Sequence, residues 1–145
     1  MPPGGRGGYS RPSSSGRRGG PLLLRVRRRR AWRADLAAAE GEVAWFARVL
    51  VTQLRLAESL DQAAGGWTVG SSQVSTLEDR LTALEAIAPD DAGRTRARTL
   101  RDAVRTARTR LRGLLTAGQV DTFQRDLDAV AAELERALET PQPAW

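Results

Sequence analysis

The sequence predicts an all-α protein: an antiparallel helical bundle, or coiled-coil-like hairpins, of about four helices, preceded by a disordered basic N-terminal arm. Three observations lead there. Apolar residues recur in steps of three and four from Trp32 to Leu138. Pro89, Gly118 and Pro141 punctuate that spacing where helices end, and no run of alternating β-branched residues competes with it. Apart from Met1 and Tyr9, Met1–Pro21 consists of Gly, Pro, Ser and Arg, which cannot bury enough apolar surface to offset the entropy of ordering. The expected divisions are residues 1–30, a disordered Gly/Pro/Ser/Arg-rich arm; residues 31–140, the bundle; and residues 141–145, a short Pro-containing tail.

The first helix takes Trp32, Leu36, Ala39, Val43, Phe46, Leu50, Leu54, Ala57 and Leu60 as its buried stripe. Through VAWFARVLVTQLRL, residues 43–56, Trp45, Val49 and Leu56 add a second stripe. That width suits a central helix, the alternative being a helix with two partners. Gly65-Gly66 reads as a break, so the second helix is expected to start between Trp67 and Thr76. Ser75-Thr76-Leu77-Glu78 matches a capping box and favours the late start. Its buried positions are Trp67, Gly70, Val74, Leu77, Leu81, Leu84 and Ala88. Asp90 and Asp91 suit the N-terminus of a third helix, which buries Ala97, Leu100, Val104, Ala107, Leu111 and Leu114 and stops at Gly118. The fourth presents Val120, Phe123, Leu127, Val130, Leu134 and Leu138. Connections near residues 89–91 and 116–119 are short enough to require antiparallel neighbours.

Charge is divided unevenly. All 23 basic residues are arginine, and nine of them, with no acid, fall in residues 1–30. The other 14 face all 17 acids, so the formal charge of +6 belongs to the arm. Such a balance speaks to partners rather than to fold. Arg25, Arg27, Arg28, Arg29, Arg30 and Arg33 surround Val26 and Trp32, a basic cluster beside an aromatic that suits nucleic acid or anionic lipid.

RTRARTLRDAVRTARTRLR, residues 94–112, holds eight arginines and one acid, Asp102. On a helical wheel Arg94, Arg98, Arg101, Arg105, Arg108 and Arg112 lie within about 40° of one line, and the apolar stripe lies about 105° away. Arg96 and Arg110 flank its other edge. Arginines so placed cover apolar surface with their stems. A hairpin closing near Ala117 would bring Arg110 opposite Asp126 and Arg96 toward Glu133. A charge-balanced seam is therefore the reading adopted for this helix. The alternative is a phosphate-contacting face, with Arg98, Arg105 and Arg112 as its outer contacts. Without Asn or Gln between Arg94 and Arg112, such a face would lack sequence specificity.

Other chemistry is limited by what is missing. Lys, His, Cys and Asn are absent. Disulfides, thiolate nucleophiles, soft-metal sites and His-dependent triads or zinc motifs are therefore excluded. No nucleophile–base pair, P-loop or GxGxxG is present, so neither catalysis, nor a cofactor or metal, nor a small-molecule substrate is expected. Trp45, Phe46 and Trp67 read as core and loop anchors, with a ligand slot at Gly65-Gly66-Trp67 as the alternative. Leu22, Leu23, Leu24 and Val26 make too short an apolar run for a secretory signal, and no stretch approaches a membrane span. A cytoplasmic location is expected.

The phrases AWFARVL, AAGGW, EDRLTALE and APDDAGRTRARTLRDAVRTAR, within residues 32–115, resemble an Ala/Arg-rich helical region of uncharacterised proteins of high-G+C bacteria. That resemblance implies a helical fold and assigns no residue a role. The function expected is a non-catalytic helical interaction module, meeting a protein partner or a second copy. The alternative is a polyanion-binding protein that holds nucleic acid or an anionic membrane surface through residues 1–30.

Overall fold

The computed structural model describes residues 13–118 and 120–139, with side chains from residue 20 onward. These residues form α1 (Ser13–Trp45), a π-helical segment (Phe46–Leu50), α2 (Val51–Arg55), α3 (Leu60–Ala86), α4 (Asp91–Ala117) and α5 (Phe123–Leu138), and no strand occurs among them. Leu50 and Val51 hold right-handed helical angles, so α1, the π segment and α2 run as one uninterrupted helix. The chain divides into two compact units, Met1–Ala31 and Trp32–Trp145.

In the first unit the described residues are helical from Ser13, where the sequence leads to an irregular arm. Leu and Arg are good helix formers and fill nearly all of residues 22–30. Gly and Pro, on which that expectation rests, are concentrated before Leu22. Every residue from Pro21 to Ala31 is exposed. Residues 1–12 and the expected tail, 141–145, lie outside the described residues.

The second unit is a bundle of four helical rows. Burial begins at Trp32, and three, four and seven residues before it stand Arg29, Arg28 and Arg25, so the apolar spacing stops there. The core joins Trp32, Leu36, Ala39, Val43, Phe46, Leu50 and Leu54 to Trp67, Val74, Leu77, Leu81 and Leu84 of α3. From α4 come Ala97, Leu100, Val104, Ala107 and Leu111, and from α5 Phe123, Leu127, Val130 and Leu134. The π segment and α2 touch both α3 and α5, and α4 touches the same two. The first helix is therefore one of four with two partners, rather than a central helix.

Ion pairs fix the antiparallel register. Arg48–Glu135 and Arg55–Asp128 advance seven residues on one helix and retreat seven on the other. Against α3, Glu42 pairs with Arg80, while Leu50 and Leu54 lie beside Gly70 and Gly66. Trp32 closes one end of the core. Its indole N–H donates to the Leu84 carbonyl at 2.9 Å, and its ring lies against Gly93 at the start of α4.

Two boundaries differ from the sequence reading. The first helix ends at Arg55 rather than running on to Leu60, because Ser59 starts α3: its hydroxyl accepts from the Gln62 N–H at 3.1 Å, and the Gln62 side-chain oxygen Oε1 accepts from the Glu58 N–H at 2.8 Å. Helix α3 then runs straight through Gly65-Gly66, and Ser75–Glu78 lies inside it. No slot opens at Trp67, whose ring stacks on Phe46 with centroids 6.2 Å apart. Both ends of α4 agree with the sequence. Asp90 caps α4 by accepting from the Gly93 N–H at 2.7 Å, and Gly118 ends it at φ 67°, a left-handed angle that only glycine adopts freely. Val120 sits exposed in the following turn instead of on the buried face of α5.

Candidate functional site

The arginine-rich α4 is neutralised from the side that the sequence reading did not anticipate. Along its outer edge the acids come from α3. Glu78 accepts from Arg105 Nε at 2.6 Å and from Arg108; Glu85 accepts from Arg98 Nε at 2.8 Å and from Arg101. Each carboxylate thus takes two guanidinium groups, and the second rung lies seven residues from the first on both helices. Glu78 is the one buried charged residue of the described core, and its two arginines satisfy it. The Glu85 hydrogen bond, then its charge, holds Arg98 above the ordinary guanidinium value; Glu78 does the same to Arg105. A third rung would place Ser71 where the acid belongs, and Arg112 is exposed and in no ion pair.

The inner edge keeps the expected pairing of α4 with α5 but not its register. Arg110 bonds Glu133 at 2.6 Å rather than Asp126. The difference is one heptad, because α5 starts only at Phe123, after a turn that lengthens the hairpin. Arg96 accordingly reaches past Glu133 to the end of α5. It donates to the Ala137 carbonyl at 2.6 Å and the Leu138 carbonyl at 3.0 Å, and pairs with Glu40 at 2.8 Å. A cation there satisfies terminal carbonyls and complements the helix dipole.

Of the candidate anion contacts, then, Arg98 and Arg105 are each bonded to an α3 carboxylate, with side chains 53% and 57% exposed. Arg112 remains open, and Arg33, on the bundle unit, is also exposed without an ion pair. In the first unit Arg25, Arg27, Arg28, Arg29 and Arg30 are all exposed, and among the described residues none of them has an ion-pair partner. This is the densest unneutralised charge among the described residues. The aromatic that the sequence sets beside it is not available, because Trp32 belongs to the core with 7% of its surface exposed. What accompanies the arginines is aliphatic: Leu22, Leu23, Leu24 and Val26 expose 63%, 59%, 53% and 46% of their surfaces. The run PLLLRV, too short for a secretory signal, is long enough to line one turn of an exposed helix.

One cleft of about 520 Å³ opens where the α2–α3 turn meets the start of α5, bordered by Arg55, Glu58, Leu60, Val120 and Phe123. Arg55 is already paired with Asp128 at 3.0 Å, and Ser59 is engaged in capping α3; Glu58, Asp61 and Gln124 also line the cleft. No helix among the described residues is long and apolar enough to cross a membrane. The chain matches no protein-family model, no curated protein and no solved structure, so no function comes to it from a relative.

Proposed function

We propose that this protein is a non-catalytic binding module that engages polyanions through Arg25 and Arg27–Arg30. One observation carries the reading: these five guanidinium groups are exposed and unpaired, whereas most arginines of α4 are held by carboxylates or helix-end carbonyls. Concentrated unpaired cations attract phosphate-bearing surfaces by releasing their counterions. The bundle, with its internal charge balance, serves as the folded body attached to that helix. The proposal takes the protein to be cytoplasmic, as the sequence suggests.

The reading of a protein-binding or self-associating module has less behind it. The exposed aliphatic residues of the bundle unit, Val49, Leu56, Val69, Ile87 and Val120, stand on the π segment, on α3 and in three different turns. Single exposed aliphatic residues on separate elements are ordinary on a protein surface.

A salt titration tests the proposal. Binding of the full chain to a DNA duplex should weaken with a log–log slope of about −4 to −5, the value for about five phosphate contacts. Replacing Arg27–Arg30 with Gln should bring that slope to about −1, the value for the one contact left at Arg25. A slope that the four substitutions leave unchanged would move the contact elsewhere.

A further inference from the structure

We infer that the polyanion is an anionic lipid surface, on which the helix lies with Leu22, Leu23 and Val26 in the boundary between headgroups and acyl chains. The inference rests on the reading of residues 25–30 as an anion site and adds what the neighbouring residues imply. Leu22, Leu23 and Val26 fall within about 100° of one another on a helical wheel, and Arg25 and Arg27 stand about 90–110° to either side of their centre. Arg29 and Arg30 follow on the same face from the next turns, and Leu24 lies about 150° away. An apolar strip edged by long cations is the pattern of an interfacial helix, because the arginine stems reach outward to headgroup phosphates while the strip leaves water.

A nucleic acid would use less of this surface. Duplex phosphates pair with the guanidinium groups but offer four exposed aliphatic side chains nothing to bury against. Single strands bind through aromatic stacking. No aromatic lies between Gly20 and Ala31, and Trp32 is committed to the Leu84 carbonyl. Base edges call for Asn or Gln in addition to Arg, and the same stretch has neither. The complementarity is therefore to a surface both negative and apolar. The contact inferred is with the membrane surface; no described helix is long and apolar enough to cross a membrane.

The test uses the full chain, two ligands and two variants. The ligands are phosphatidylcholine vesicles containing phosphatidylglycerol, with pure phosphatidylcholine as control, and a DNA duplex at the same salt. The variants are L22S/L23S/V26S and R27Q/R28Q/R29Q/R30Q, all at exposed positions outside the core, with circular dichroism to verify the bundle. The native chain should bind the anionic vesicles and not the neutral ones. The serine variant should lose about tenfold or more of its vesicle affinity and keep its duplex affinity within about twofold. Serine substitutions that weaken neither ligand, or duplex binding without vesicle binding, would overturn the lipid inference and leave the anion site standing. Arginine substitutions that leave both ligands bound as before would overturn the anion site itself.

Discussion

A methyl group added at Gly93 would stand 2.7 Å from Cη2 and 3.0 Å from Cζ3 of Trp32, closer than the ring and the start of α4 allow. The absence of a side chain at this residue is what lets the indole reach the Leu84 carbonyl. Overpacking of this kind costs about 1–3 kcal/mol, while alanine returns up to about 1 kcal/mol of helix propensity. Gly93→Ala should therefore lose about 1 kcal/mol in urea denaturation. Gly113, exposed in α4 with nothing near its missing Cβ, makes the control. Gly113→Ala should gain up to about 1 kcal/mol. Equal effects at both positions would mean that Trp32 does not set the limit. Glu135 offers a second test at this scale. The Arg48 hydrogen bond holds its carboxyl below the usual range. Its contribution is then fully present above the unfolded-state value of about 4.3 and lost as pH falls through the lower folded value. Glu135→Gln should flatten the acid limb of stability against pH below about 4.3, and an unchanged limb would remove Arg48–Glu135 from the account.

At the scale of elements, the pairing of α4 with its neighbours makes a different prediction for each edge. On the α5 side, Arg110→Glu combined with Glu133→Arg should show a double-mutant coupling of about 0.5–1 kcal/mol, near the upper end for exposed pairs. The same cycle at Arg110 and Asp126 should show none. On the α3 side, Arg98→Gln and Arg105→Gln should each lower the melting temperature, since each strips a hydrogen bond from a largely buried carboxylate, whereas Arg112→Gln should not. The apolar stripes of α4 and α5 were legible because their buried residues repeat at three and four without interruption. The start of α3 was misread for a physical reason. Gly65 and Gly66 cost helix propensity without stopping the helix, which is capped upstream at Ser59. Only at Gly70, where an added Cβ would stand 2.8 Å from Leu50, does the facing helix approach too closely for a larger residue. The capping pattern was also available at Ser59…Gln62, with the same spacing as at Ser75…Glu78. Choosing between them required knowing that Glu78 is buried under Arg105 and Arg108. The π segment left no comparable mark in the spacing.

For the whole molecule, the division of charge was legible from counting, and the site follows from it once the bundle's own arginines are accounted for. What counting did not reveal was which arginines have partners, because α3 supplies the acids across a register visible only in three dimensions. The two units should also differ in stability. An isolated helix of this length is marginal in water, so amides of residues 21–31 should exchange far faster than those of residues 97–111, which underlie the core. Comparable protection of the two stretches would show that residues 21–31 have tertiary support.

The central claim is that the arginines of residues 25–30 bind outward while those of α4 bind inward. Two full-length variants test it side by side: R27Q/R28Q/R29Q/R30Q and R98Q/R105Q/R112Q, each measured for binding to anionic vesicles and duplex DNA at low salt and for melting temperature. The first should lose about tenfold or more of its anion affinity with its melting temperature unchanged. The second should melt earlier and keep most of its affinity. The opposite pattern, with binding lost only when α4 is altered and melting unaffected there, would contradict the account.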